Sequence, residues 1–158
     1  MLKIGIAEAD ITPDQPMRLA GMLNPPEAQG TQWPLHARVF VFSNDERQIA
    51  LVVLDNLLLA TPLIPEFRIN VTQDTPISPE GVMIACTHTH RAPFAAALMD
   101  EEVNFDYVDW MRKQTAEAMR QAVASLQPAS YRVGHIAAPG WTFNRRQMYR
   151  SARYGEQV

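Results

Sequence analysis

Residues 49–60, IALVVLDNLLLA, constrain this chain more than any other stretch. Every side chain from Ile49 to Leu54 is apolar. A strand here has no polar face to offer water, so it belongs in the middle of a sheet. The preceding segment LHARVFVFS alternates, with Leu35, Ala37, Val39 and Val41 on one side. A polar turn, NDERQ, joins the two, and together they predict a β-hairpin. Asp55 breaks the apolar run where the central strand ends, the position of a candidate site residue.

Other elements fall in around this hairpin. KIGIAEADI followed by TPDQP predicts a short first strand and a turn. Residues 20–34, AGMLNPPEAQGTQWP, resist both helix and sheet and predict an irregular loop packed over a site. Thr61-Pro62 predicts a helix start, and Pro65 predicts that this helix is short. VMIACT is the next strand. Residues 104–126 predict the longest helix, with Tyr107, Met111, Thr115, Met119, Ala122 and Leu126 on one stripe. Val108, Ala118 and Val123 flank that stripe, and Pro128 ends the helix. SYRVGHIAA predicts a last strand. The order β, ββ, α, β, α, β gives an α/β domain over residues 1–140, a mixed sheet with flanking helices. Residues 141–158 form a polar, arginine-rich tail without periodicity.

Composition narrows the function classes. A length of 158 residues suits one domain, and a net charge of −3 argues against a nucleic-acid surface. No apolar run approaches the roughly 18 residues of a membrane span. Cys86 is the single cysteine, so no internal disulfide is required. The first residues lack the layout of a signal peptide, and a cytoplasmic location is the expectation.

The chemistry concentrates in IACTHTHRAP, residues 84–93. On an extended segment, His88 and His90 project to the same side and could share one metal or divide the work between metal and substrate. The alternative is two polar residues ending a strand. Cys86 points the same way but reads as a small buried residue rather than a thiolate ligand. His135 reads as an exposed or hydrogen-bonded strand histidine. Trp110 reads as a helix packing residue, and Trp141 as a wall for an apolar pocket.

IGIAEADITP, LAGM, PLHARVFVF, ALVVLDNLLL, VMIACTHTHRAP, YVDWMRKQTAEAMRQAVASLQPA and GWTFNRR occur in one order. In that order they resemble the N-terminal catalytic region of the neutral/alkaline (non-lysosomal) ceramidase family and its bacterial relatives. The resemblance implies that His88 is a zinc ligand and that His90 lies beside the metal and contacts the reacting amide. It implies that Arg145, of the Asn144-Arg145 pair, stabilises substrate oxygen, and that Asp55 orients a ligand from behind. Two departures stand out. Arg91-Ala92-Pro93 replaces a small Ser-Gly-Pro turn, and Gln32-Trp33 replaces a His-Asp pair ahead of Pro34-Leu35. His36 is adjacent to that position but does not match it.

The implied reaction is hydrolysis of a small-molecule amide or lipid-like substrate by zinc-activated water. The family's remaining ligands, a histidine, a glutamate and a tyrosine, come from segments after the part matched here. The zinc site of this chain is therefore expected to be incomplete. Two readings follow: the N-terminal portion of a longer hydrolase, or a truncated relative acting as a binding or assembly module. An incomplete domain also leaves apolar surface that favours a homo-oligomer.

Overall fold

The computed structural model describes residues 1–98 and 100–141, and the backbone of 149–151 and 155–157. Its sheet is built outward from the hairpin: β2 (His36–Ser43) pairs antiparallel with β3 (Gln48–Leu54). The turn between them is tied by Asn44, whose Oδ1 accepts from the backbone N–H groups of Glu46 and Arg47. β1 (Lys3–Asp10) lies antiparallel on the other side of β2. After α1 (Ile64–Thr72) the chain returns as β4 (Val82–Cys86), parallel to β3. After α2 (Phe105–Ala124) a two-residue strand, β5 (Gln127–Pro128), touches β1 at Lys3 and Ile4. The order β4-β3-β2-β1-β5 is a mixed sheet with β3 inside it, as its doubly apolar sequence requires.

Both helices cover one face. Ala37, Val39 and Val41 of β2, Ala50, Val52 and Leu54 of β3, and Val82 of β4 are buried beneath them. The predicted stripe of α2 is the one that is buried: Tyr107, Val108, Met111, Thr115, Ala118, Met119 and Ala122. Asn104 caps it, its side chain accepting from the Tyr107 backbone N–H at 3.0 Å.

Several sequence expectations meet the structure here. The first helix is short, as expected, at nine residues, but Pro65 is not the reason: it sits in the first turn of α1, where a missing N–H costs nothing. Thr61–Leu63 form a 3-10 turn leading into it. Trp110 is an exposed residue, not a packing one. SYRVGHIAA forms no strand: beyond Pro128 residues 131–141 are exposed, with one backbone bond from Ala129 N–H to the Leu2 carbonyl at 3.1 Å. In the C-terminal stretch, where no element was expected, β6 (Tyr149–Ser151) and β7 (Gly155–Gln157) pair antiparallel.

The buried end of α2 carries a pH-sensitive group. Tyr107 is fully buried, and its hydroxyl has no hydrogen-bond partner among the described residues. Burial pushes its pKa well above the ordinary phenol value. Asn56 is near enough to offset part of this, though not in hydrogen-bonding geometry, and the carboxylate of Asp55 adds to the rise. The folded pKa is thus above the unfolded one, so the unfolded chain ionises first as pH rises. Stability from this group is complete below about pH 10. Above that it is expected to fall by roughly 1.4 kcal/mol per pH unit. Tyr107→Phe is expected to remove this alkaline loss. At neutral pH the same change should alter stability by less than about 1 kcal/mol, since the lost hydroxyl bonds nothing. Urea unfolding at neutral and alkaline pH compares the two proteins directly.

Candidate functional site

β3 and β4 are parallel and end level, Leu54 opposite Cys86. Their following residues, 55–58 and 87–90, therefore emerge together at the carboxyl end of a parallel pair, the usual place for a site in an α/β sheet. Backbone bonds stitch the two exits: Thr87 N–H donates to the Leu54 carbonyl and His88 N–H to the Asn56 carbonyl, both at 3.0 Å.

The two histidines do not lie on an extended strand, as their spacing had suggested. β4 stops at Cys86, and His88 takes φ 63°, a left-handed conformation uncommon for a residue other than glycine, asparagine or aspartate. Such a residue costs of order 1–3 kcal/mol and persists only where its surroundings impose it. Here they do, and the turn still brings the rings together: the imidazoles of His88 and His90 are 5.4 Å apart, centre to centre, at 78°. His88 Nδ1 is 3.0 Å from the Leu57 carbonyl. A carbonyl only accepts, so Nδ1 carries the proton and Nε2 keeps its lone pair for a ligand.

Of the loop of residues 20–34, Ala20 and Gly21 meet the histidine turn, whereas Leu23 and Trp33 are exposed. Ala20 N–H donates to the Ala92 carbonyl at 2.8 Å, and Leu19 bridges to Pro93. Gly21, at φ 90°, brings its backbone so close to His90 that a Cβ would stand 2.7 Å from Nδ1. A small apolar cluster of Ala20, Leu57 and Phe94 holds these loops beneath the histidines. Gly21 went unnoticed in the sequence. Its cue, a glycine in a loop expected to cover a site, gives no hint of which side chain it meets.

Asp55 is half of a different arrangement. Its Oδ2 accepts from Arg38 Nη1 at 2.9 Å and from the His36 backbone N–H at 3.0 Å. Arg38 also pairs with Glu8, Nε to Oε2 at 2.8 Å, and donates to His36 Nδ1 at 3.2 Å. The contact that orients His88 is thus the Leu57 carbonyl, and Asp55 serves the cross-strand cluster on β1 and β2. Cys86 is half-buried; burial pushes its thiol up and keeps it neutral, an effect the Leu59 backbone N–H offsets only in part. His135 and Trp141 are exposed, so Trp141 walls no pocket among the described residues. Asn144 and Arg145 lie outside the described residues.

Two imidazoles bound to one zinc at 2.0–2.1 Å in tetrahedral geometry have ring centres about 5 Å apart. The histidine pair fits that spacing. A catalytic zinc takes three protein ligands, and among the described residues no group of three His, Cys, Asp or Glu side chains is placed to hold a metal ion. The residues present fit one edge of a zinc site. They also fit no membrane helix: none among the described residues is long and apolar enough to cross a bilayer.

No protein-family model and no curated protein matches the sequence. Solved structures do match. Neutral ceramidase from Pseudomonas aeruginosa superposes with a TM-score of 0.69 at 20% identity, over 80% of this chain and 22% of the ceramidase chain. A ceramidase complexed with C2 gives a TM-score of 0.69 at 24% identity over the same shares of the two chains. The chain has the fold of part of a neutral ceramidase and spans 22% of the ceramidase chains it matches.

Proposed function

We propose that this chain is the histidine-bearing first portion of a ceramidase-like, zinc-dependent amide hydrolase. The observation that carries the reading is the His88–His90 pair, 5.4 Å apart at the end of a parallel strand pair, within a ceramidase-like fold. Zinc, when bound, supplies a water acidic enough to attack an amide carbonyl near neutral pH. His88 holds the metal through Nε2, fixed in that tautomer by the Leu57 carbonyl. His90 stands at the substrate side, its ring seated on the Gly21 backbone. Arg145 is proposed to steady the substrate oxygen, with Asn144 beside it. The substrate class is a small amide, lipid-like or otherwise.

Zinc content tests this. At equilibrium in dialysis against zinc, the wild-type chain is expected to retain about one ion, and weakly, since one edge of a zinc site supplies fewer than the three protein ligands of a complete one. His88→Ala is expected to bind at least tenfold more weakly. Wild-type protein that retains no zinc under these conditions would sink the reading for this chain.

A second reading, a binding or assembly module, is favoured by a separate observation: the sheet face away from the helices carries Ile6, Phe40, Ile49, Leu51, Val53 and Met83.

A further inference from the structure

We infer that Arg38, through its ion pair with Asp55, is a positioning residue for His88. Neither side chain bonds the imidazole; the link runs through the main chain. At the exit of β3 the chain folds back on itself. The Asn56 N–H donates to the Leu54 carbonyl at 2.8 Å, closing a three-residue turn centred on Asp55. That turn aims two successive carbonyls at one residue. The Asn56 carbonyl holds the His88 backbone N–H and the Leu57 carbonyl holds its Nδ1, each at 3.0 Å. The left-handed backbone of His88 and the tautomer of its ring therefore both depend on where residues 56 and 57 stand.

What anchors the turn lies on its other side. The Asp55 N–H donates to the His36 carbonyl at 2.9 Å, extending the β2–β3 ladder by one residue. The Asp55 carboxylate grips the same edge, accepting from the His36 N–H and from Arg38 Nη1. Arg38 is itself held: it stands opposite Glu8 in the register of β1 and β2 and donates from Nε to Glu8 Oε2 at 2.8 Å. One guanidinium thus straps β1, β2 and the exit of β3 together. Its rigid fork of donors suits this task, whereas a lysine ammonium is a single point of charge. The Asp55 side chain is only 18% exposed, so salt screens this pair less than one on open surface. The strap selects the form of His88 that is protonated at Nδ1 and free at Nε2. The inference deepens the zinc reading and rests on it for the use made of Nε2; the effect on the ring needs no metal.

Nitrogen-15 spectra of the full chain, stripped of metal by a chelator and held at mildly alkaline pH, read the tautomer directly. Wild-type His88 is expected as the Nδ1–H form. In Arg38→Met, which keeps the apolar stem and loses the fork, that signature is expected to give way to the tautomer mixture of a free imidazole. Arg38→Lys, gentler on the fold, is expected to move the ring the same way to a smaller extent. Arg112→Met is the control: it removes the ion pairs with Glu66 and Asp109 and should leave His88 as in the wild type. A wild-type ring without the Nδ1 proton, or folded Arg38 variants with His88 unchanged, would overturn the inference. So would loss of the tautomer in Arg112→Met, since any broken ion pair would then suffice. Equilibrium dialysis against zinc, with Arg38→Met expected to bind about tenfold more weakly, reports on the other proposal separately. A wild type with the expected tautomer and no zinc counts against the zinc reading alone.

Discussion

Gly5→Ala is expected to destabilise the chain by about 3 kcal/mol or more, the upper range for forcing atoms into a packed core. A Cβ built at Gly5 stands 1.9 Å from the carbonyl oxygen of Ala122, a backbone atom of α2 that no rotamer change can move aside. The close approach is built into the strand: Gly5, Ala7 and Ala9 face the helix, opposite Val41, Val39 and Ala37 of β2. Ser125 then ties the contact, its Oγ accepting from the Ile6 backbone N–H at 3.1 Å while its one proton faces the Ala122 carbonyl at 3.0 Å and the Ile6 carbonyl at 3.3 Å. To admit one methyl group, α2 must lift from β1 and lose both the apolar contacts of its buried stripe and this tether. Gly134→Ala is the control, since a Cβ there meets nothing within 4 Å, and a surface change of this kind shifts stability by about 0.5 kcal/mol or less. Urea unfolding of the two variants beside the wild type decides it. A Gly5→Ala protein within about 1 kcal/mol of wild type would mean that the helix has room to yield.

That contact illustrates where sequence reading stops. The stripe of α2 was legible because a helix repeats every 3.6 residues and its partner need not be known. The hairpin was legible because alternation and a polar turn are local. The small residues at positions 5, 7 and 9 were visible, but which backbone approaches them depends on how α2 docks. SYRVGHIAA had the composition of a strand without a neighbouring edge to use. β5 meets β1 at two residues, and Pro128 brings no N–H to the ladder. At the site, the histidines announced themselves by spacing, whereas the group that orients His88 is the Leu57 main-chain carbonyl, which no side-chain pattern reveals. Asp55 stood out in the sequence as an acid closing an apolar run, just past the end of β3. Its carboxylate goes to Arg38 because the hairpin register sets His36 and Arg38 beside it, and that register is a property of the folded sheet.

Gly21→Ala is expected to disturb the site far more than the fold. Two penalties arise, and they separate. The first is conformational: φ 90° is a region that side-chain-bearing residues avoid, at a cost of roughly 1–2 kcal/mol in stability. The second is steric and local. The new Cβ would lie 2.7 Å from His90 Nδ1, 2.8 Å from Cγ and 3.0 Å from Cε1. Cγ is the root of the ring, so His90 cannot escape by flipping its imidazole and must rotate about its Cα–Cβ bond. That rotation carries the ring away from His88 and breaks the 5.4 Å pairing. Nuclear Overhauser contacts between the two imidazoles are expected to vanish, while zinc binding, which rests on His88, is expected to hold. Gly140→Ala isolates the first penalty: its φ is 83°, and a Cβ there meets nothing within 4 Å. It should lose similar stability with the imidazole contacts and zinc retention intact. If Gly21→Ala behaves like Gly140→Ala in all three measurements, the loop does not set the position of His90. If the imidazole contacts vanish and zinc retention holds, His88 binds without its neighbour. His90 is then free for the substrate, the division of labour proposed for the pair.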